Sequence, residues 1–248
     1  MPTGAQIKRI VSILGDVAKL YGISDAFFIG GYPRTVAMGL PLSDVHDLDV
    51  ATSTPGKASQ LGGLLAEQTQ GEIEERTKST FVKAHGVEID FQAASEHEFT
   101  SPYLHAFDID ATPLAKNIFD RDFTVNSLAI PLGRNEIIDI TRRGMEDLQR
   151  RMIASILPAK DVLPKNPLMI TRALRLHCKY GFGIEKQTWQ AMLENVDSFR
   201  NKISPERQAI EAYLLSKYGE SIHLLEQVGL PELSLEEMIT TGEKEADE

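Results

Sequence analysis

The sequence predicts an α+β fold: a mixed sheet with flanking helices in the front half, then an all-helical back half. Three observations predict it. Short apolar or alternating runs of strand length recur as far as residue 93, interleaved with stretches of helical spacing. From Arg121 onward the three-to-four spacing dominates, apart from a strand-like Glu136-Ile137-Ile138-Asp139-Ile140. The charge changes sign at the same place: residues 1–140 carry 11 Lys/Arg against 19 Asp/Glu, whereas residues 141–207 carry 13 against 7.

Each element has a local cause. Ile7, Ile10, Val11, Leu14 and Val17 space a helix over 5–21, and Gly22 stops it. Ala26-Phe27-Phe28-Ile29 is a buried strand closed by Gly30-Gly31. Pro33 opens a helix that Gly39 ends, because proline in a first turn sacrifices no hydrogen bond. Asp47-Leu48-Asp49-Val50-Ala51 alternates as a half-buried strand does. Thr54 and Pro55 supply an N-cap and first turn for a helix to about Gln68. Strands follow over 72–77, 79–84 and 87–93, the last two turning at His85-Gly86. Residues 94–118 show no period and are expected to form a long loop. Helices are expected over 167–180, 185–196, 205–217 and 220–228. The domains expected are 1–140, a helical 141–230, and an acidic, disordered tail over 231–248.

Composition bounds the function. With 248 residues, 42% hydrophobic and 25% charged, the chain has an ordinary globular make-up. Its single cysteine, Cys178, excludes an internal disulfide and a cysteine-built zinc site. No apolar run is long enough to span a membrane and the amino terminus lacks a signal-peptide core, so a cytoplasmic protein without a membrane partner is expected. The formal net charge of −10 runs against nucleic-acid binding, but the basic stretch 141–207 does not.

The sharpest chemical feature is Asp47-Leu48-Asp49. Residues i and i+2 of a strand project from one face, so the two carboxylates stand side by side. Such a pair repels unless a proton or cation intervenes, and magnesium relieves it with hard oxygen ligands while keeping positions for phosphates. Gly30-Gly31 lies between a strand and a helix, where missing side chains let backbone N–H groups approach a phosphate. Arg34 follows within one turn and can hold a phosphate oxygen by bidentate hydrogen bonds. Glu88 and Asp90 again stand at i and i+2, and either one supplies a third carboxylate.

These residues fall into a resemblance. Gly30-Gly31-Tyr32-Pro33-Arg34, Asp47-Leu48-Asp49-Val50-Ala51-Thr52 and Arg121-Asp122-Phe123-Thr124-Val125-Asn126-Ser127-Leu128-Ala129 resemble, in order, the G-G-x-V-R-D, D-x-D-x-x-T and R-R-D-F-T-x-N-A-L motifs of class II tRNA nucleotidyltransferases and bacterial poly(A) polymerases. Asp139 with Gly144-x-x-Asp147-Leu148 resembles the next block, and Asn166-Pro167-Leu168-x-x-x-Arg172-Ala173-Leu174-Arg175 the neck helix, E-D-P-L-R-x-x-R-A-x-R. The resemblance implies a polymerase-β-like nucleotidyltransferase head, a helical neck and a short body. It implies that Asp47 and Asp49 hold Mg2+, that Gly30, Gly31 and Arg34 meet the triphosphate, and that Arg121, Asp122 and Asn126 contact ribose and phosphates. Asn166, Arg172 and Arg175 would complete the nucleotide and RNA surface. The partners implied are nucleoside triphosphates, ATP first and CTP second, and an RNA, foremost tRNA.

Four departures qualify the expectation. The aspartate after G-G-x-V-R is Thr35, and the first arginine of R-R-D is Asp120. The E-D-x-x-R triplet, whose aspartate and arginine face the base edge in the family, reads Lys165-Asn166-Pro167-Leu168-Met169. Losing one such partner relaxes base discrimination by about 1–3 kcal/mol. The helices over 185–230 are expected to form only a partial body. The expected function is magnesium-dependent addition of nucleotides to an RNA 3′-hydroxyl, most directly the tRNA 3′ end. The alternatives are a related transferase with another nucleotide or acceptor, RNA or protein, or a degenerate RNA-binding module.

Overall fold

In the computed structural model the first helix, α1 (Gly4–Leu20), starts where Thr3 and Gln6 satisfy each other's backbone in a reciprocal cap. Residues 1–77, 79–93 and 100–218 are described. They divide into two units, Met1–Leu148 and the residues from Gln149 on.

In the first unit α1 leads to β1 (Ala26–Ile29), α2 (Gly31–Ala37), β2 (Asp47–Thr52) and α3 (Pro55–Thr69). The Thr54 side chain caps α3 by accepting from the Lys57 N–H, and Pro55 fills the first turn. Next come β3 (Glu72–Glu75), β4 (Ser79–Ala84) and β5 (Val87–Ala93). His85 and Gly86 both have positive φ, the two-residue hairpin turn whose twist suits the flanking strands. The unit closes with α4 (Ser101–Ala106), α5 (Pro113–Phe119), β6 (Leu128–Pro131), β7 (Ile138–Asp139) and α6 (Gly144–Gln149).

The strands form one mixed sheet in the order β3-β4-β5-β2-β1-β6-β7. Among the described residues of this sheet only β2 and β5 run parallel; its other pairs are antiparallel. Leu48, Val50, Ile89 and Phe91 belong to one core with Ile7, Ile10 and Leu14 of α1 and Leu61 and Leu65 of α3. Burying each such side chain is worth about 1.5–3 kcal/mol. Because side chains alternate, that packing turns Asp47, Asp49, Glu88 and Asp90 to the opposite face.

Two expectations for this unit need correction. Of the predicted loop over 94–118, residues 94–99 lie outside the described ones, and much of the rest is helical: α4 and α5 each begin with a proline in the first turn, and Thr112 caps α5 by accepting from Ala115 N–H at 3.1 Å. Ala115, Asn117, Ile118 and Phe119 are all buried, so α5 lacks the polar face that would reveal a helical period. The strand β6 was equally hidden, because all four of its residues are buried and nothing alternates.

The second unit contains β8 (Met152–Ile153), α7 (Ala159–Val162), α8 (Met169–Tyr180), β9 (Gly183–Ile184), α9 (Lys186–Glu194), α10 (Val196–Lys202) and α11 (Pro205–Ser216). Its helices α8, α9 and α11 fall on the predicted spans, whereas α7 and α10 lie outside them and the two-residue parallel pair of β8 with β9 departs from the expected all-helical pattern. The α8 helix packs on α11, and α7 on α9. The expected helix over 220–228 and the acidic tail lie outside the described residues. Among the described residues no helix is long and apolar enough to cross a membrane.

Candidate active site

The parallel register of β2 with β5 sets Asp47 opposite Glu88 and Asp49 opposite Asp90, so all four carboxylates share one face. Their side chains then diverge. Asp49 Oδ2 accepts from Arg121 Nη2 at 2.9 Å, a half-buried ion pair. Asp90 Oδ2 accepts from Gln92 Nε2 at 2.9 Å, and the same amide lies 3.5 Å from Asp49 Oδ1. Glu88 is exposed. Among the described residues no three metal-ligating side chains converge.

Asp47 retains an exposed surface, yet enough protein surrounds its carboxyl to disturb it. Burial pushes its pKa above the ordinary 3.8, the charges of Asp49 and Glu88 push the same way, and its own backbone N–H and Arg121 only partly oppose them. The buried Asp90 Oδ1 accepts no hydrogen bond. A strained like-charged pair beside an unsatisfied buried oxygen fits a divalent cation: hard oxygen donors concentrate negative charge where a cation repays the desolvation.

Gly30 joins the glycine turn to this pair. It adopts φ 72°, ψ −124°, a conformation open in practice only to glycine. A Cβ placed there would lie 2.5 Å from Arg121 Nη2 and 2.7 Å from Asp49 Oδ2. Three segments separated in sequence therefore meet at one point: the end of β1, the middle of β2 and the loop before β6. Gly31 is less confined, its nearest neighbour for a Cβ being Arg34 Nη2 at 3.7 Å.

Arg34 is set from below. Its Nη1 donates to Asn126 Oδ1, and Asn126 Nδ2 donates to Asp122 Oδ1 at 2.8 Å. Asp122 is 9% exposed, and the same oxygen accepts from the Phe123 N–H at 2.7 Å. Asp122 and Asn126 thus form a chain that orients Arg34, with the amide of Asn126 at its centre.

Two positioning residues were not among the expected site residues. Gln92 bridges the carboxylates of β2 and β5, and nothing in a lone glutamine at a strand end announces that. Asp147 is buried and accepts from Thr124 Oγ1 at 2.6 Å, tying down the loop that carries Arg121 and Asn126. Its signal was the Gly144-x-x-Asp147 block. Asp139 steadies the same corner, accepting from Thr141 Oγ1 and the Met145 N–H. Thr35, in place of an aspartate, is buried.

Asn166, Arg172 and Arg175 all belong to the second unit. Arg175 Nη1 stands 3.6 Å from Glu211 Oε2, and Glu211 is fully buried. Arg207 Nη2 donates to Glu211 Oε1 at 2.6 Å, and Thr171 Oγ1 to Oε2 at 2.8 Å. Asn166 is half-buried just before α8. Met169, at the template arginine's position, is 2% exposed and packs in the interior.

Residues 26–154 match the family described as the poly A polymerase head domain. The chain belongs to this family. The match covers the glycine turn, both carboxylate strands and the Arg121–Asn126 run, so the head-domain motifs and the meeting point at Gly30 coincide. Among curated relatives, the CCA-adding enzyme of Lactiplantibacillus plantarum is 31% identical over 190 residues, which cover 75% of this chain and 44% of that protein. The CCA-adding enzyme of Streptococcus agalactiae is 30% identical over 196 residues, again 75% and 44%. The chain thus spans less than half the length of these relatives. Among solved structures, a CCA-adding enzyme in an apo form superposes with a TM-score of 0.71 at 20% identity, covering 90% of this chain and 51% of that one. A Thermotoga maritima CCA-adding enzyme complexed with tRNA gives 0.68 at 20% identity, covering 90% and 50%. At these identities the likeness shows a shared fold.

Proposed function

We propose that this chain is a divalent-metal-dependent RNA nucleotidyltransferase that extends an RNA 3′-hydroxyl from nucleoside triphosphates, with the tRNA 3′ end as acceptor. The convergence of Gly30, Asp49 and Arg121 at one point carries the reading, because an anion-recognising arginine and a cation-recognising carboxylate meet where no side chain intrudes. The curated relatives named as CCA-adding enzymes, together with solved CCA-adding enzymes complexed with tRNA, with ATP and with CTP, support the acceptor and the nucleotides.

In this reading Asp47 and Asp49 hold the cation, Mg2+, which supplies Lewis-acid stabilisation of the charge developing on the phosphates. Arg34, oriented by Asn126 and Asp122, binds a phosphate oxygen of the nucleotide. Arg121 neutralises a second phosphate. The 3′-hydroxyl oxygen bonds to the α-phosphorus, the bond to the bridging oxygen breaks, pyrophosphate leaves and the hydroxyl proton passes to solvent. Positioning and electrostatics carry such a step, and both demand side chains fixed before the nucleotide arrives. The basic stretch 141–207 supplies the charge that meets the RNA backbone.

A second reading, the same chemistry with relaxed nucleotide choice, is favoured by Met169. With that position turned into the interior, no arginine occupies the template place. The test is one assay with purified protein, Mg2+, each labelled nucleoside triphosphate in turn and tRNA lacking its 3′ end. Label from CTP and ATP alone supports strict CCA-type addition, and label from all four supports the relaxed form. No transfer to any RNA, with Asp47→Ala/Asp49→Ala indistinguishable from the unaltered protein in nucleotide binding, rejects both.

A further inference from the structure

Resting on the cation and nucleotide reading above, we infer that Arg121, besides meeting a phosphate, makes cation binding and triphosphate binding depend on each other. One oxygen of the carboxylate proposed to hold the cation, Asp49 Oδ2, is engaged by the Arg121 guanidinium at 2.9 Å. The other oxygen of that carboxylate has Gln92 Nε2 at 3.5 Å, at the limit of a hydrogen bond. A cation arriving alone competes with a fixed positive charge for the same lone pairs, in a half-buried setting where water screens the repulsion poorly.

The triphosphate changes this balance. Its oxygens are acceptors of the type a guanidinium prefers, and they offer Arg121 a partner to replace Asp49. Once Arg121 turns to phosphate, Asp49 Oδ2 is released to the cation and the repulsion becomes a bridge of alternating charge. Cation and nucleotide then favour one another, and linkage makes that favour equal in both directions.

Gly30 makes the exchange possible. The guanidinium lies against a backbone with no Cβ, since one would stand 2.5 Å from Nη2 and 2.7 Å from Asp49 Oδ2. The arginine can therefore pass from carboxylate to phosphate without crossing a side chain. Gln92 stays behind, bonded to Asp90 Oδ2 at 2.9 Å, and keeps the second carboxylate strand in place during the exchange.

The test measures binding, not turnover. Mn2+ is titrated into the full chain without nucleotide and followed by the electron paramagnetic resonance of the free ion. Binding of a non-hydrolysable ATP analogue is then measured by calorimetry with and without saturating Ca2+. In Arg121→Gln, Mn2+ binds about tenfold tighter than in the unaltered chain, and the Ca2+-dependent tightening of the analogue shrinks by about the same factor. Arg121→Lys keeps the charge and stays within about twofold of the unaltered chain for Mn2+. Mn2+ binding by Arg121→Gln that is no tighter than the unaltered chain overturns the inference, as does an equal gain in Arg121→Lys. Should Arg121→Gln fail to fold, Arg121→Met keeps most of the stem of the side chain without its charge: tighter Mn2+ binding supports the exchange, and unchanged or weaker binding refutes it. In the control Asp47→Asn/Asp49→Asn, unaltered Mn2+ binding removes the cation site itself and with it both readings. Lost Mn2+ binding there, beside no gain in Arg121→Gln, overturns only the exchange.

Discussion

Gly30→Ala isolates the point where the three motifs meet. The added methyl group faces two separate penalties. The first is conformational: φ 72° with ψ −124° lies where a side chain is not accommodated, at a cost of about 1–3 kcal/mol. The second is steric: Arg121 Nη2 at 2.5 Å and Asp49 Oδ2 at 2.7 Å must both move aside, breaking a half-buried ion pair worth up to about 1 kcal/mol. The sum, about 1–4 kcal/mol, lowers the melting temperature by roughly 2–16 °C in a chain of this size.

Gly31 is the matched control. It starts α2 with negative φ, and its Cβ meets only the far end of Arg34 at 3.7 Å. Gly31→Ala is therefore expected to leave stability unchanged or raise it by up to about 1 kcal/mol, since alanine suits a helix better. Thermal unfolding by circular dichroism, run beside nucleotide transfer, compares the two. Transfer should fall by about a hundredfold in Gly30→Ala through misplacement of Arg121 and Asp49. The argument fails if Gly30→Ala melts within about 1 °C of the unaltered chain, or if Gly31→Ala is equally damaging.

Asn126→Ala removes the link between Arg34 and Asp122, so the KM for nucleotide should rise about tenfold while the fold persists; steady-state kinetics with a thermal melt checks both. Glu211→Ala takes the buried acceptor from Thr171 and Arg207 and should cost about 3–5 kcal/mol in urea unfolding. Burial alone would raise the Asp25 carboxyl, but hydrogen bonds from Lys57 and Ser53 and the Lys57 charge outweigh it and hold the group below 3.8. A depressed carboxylate stabilises above its unfolded pKa and loses that contribution as pH falls through the folded one. Lys57→Met should therefore flatten the stability profile below about pH 4 and leave its shape near neutrality, as read from melts across that range. Met169→Arg, which restores the family residue, places a guanidinium in the interior and should destabilise by about 3–5 kcal/mol; a variant of unchanged stability would show that the position opens to solvent.

The legible parts of the fold were those where one face is wet. The strand Asp47–Thr52 alternates because its core side packs on α1 and α3 while its other side carries the carboxylates. The helix α1 is legible for the same reason. Where burial is complete the pattern vanishes, as in β6 and α5, and only the Thr112-Pro113 cap could have betrayed the latter. In the site the same division holds. Residues that meet ligands in the proposed reading sit in glycine turns and paired acids, which local spacing exposes. Those that hold them, Gln92 and Asp147, act across 43 and 23 residues of sequence; the Gly144-x-x-Asp147 block marked the latter without its partner, and nothing local marked the former. Met169 is the converse: the substitution was visible, but only packing shows that the position has been given to the interior.

Net charge, by contrast, was legible as a sum and misleading for that reason. The −10 adds together groups with unrelated surroundings. Four of the acids stand in register on adjacent strands, where the repulsion is local and is already answered in part by Arg121. That repulsion is the expense of building a cation site, and it is met within a few ångströms rather than across the molecule. In the second unit the order reverses: one buried acid, Glu211, faces Arg175 and Arg207, so two arginines stand beside a single compensating carboxylate. On the proposed reading the acidic face of the first unit meets a cation beside the arginines that meet the triphosphate, and the basic helices of the second meet the RNA backbone. A chain that needs both shows neither in its total, and the charge has to be counted over the distance at which it acts, about 8–10 Å at physiological salt.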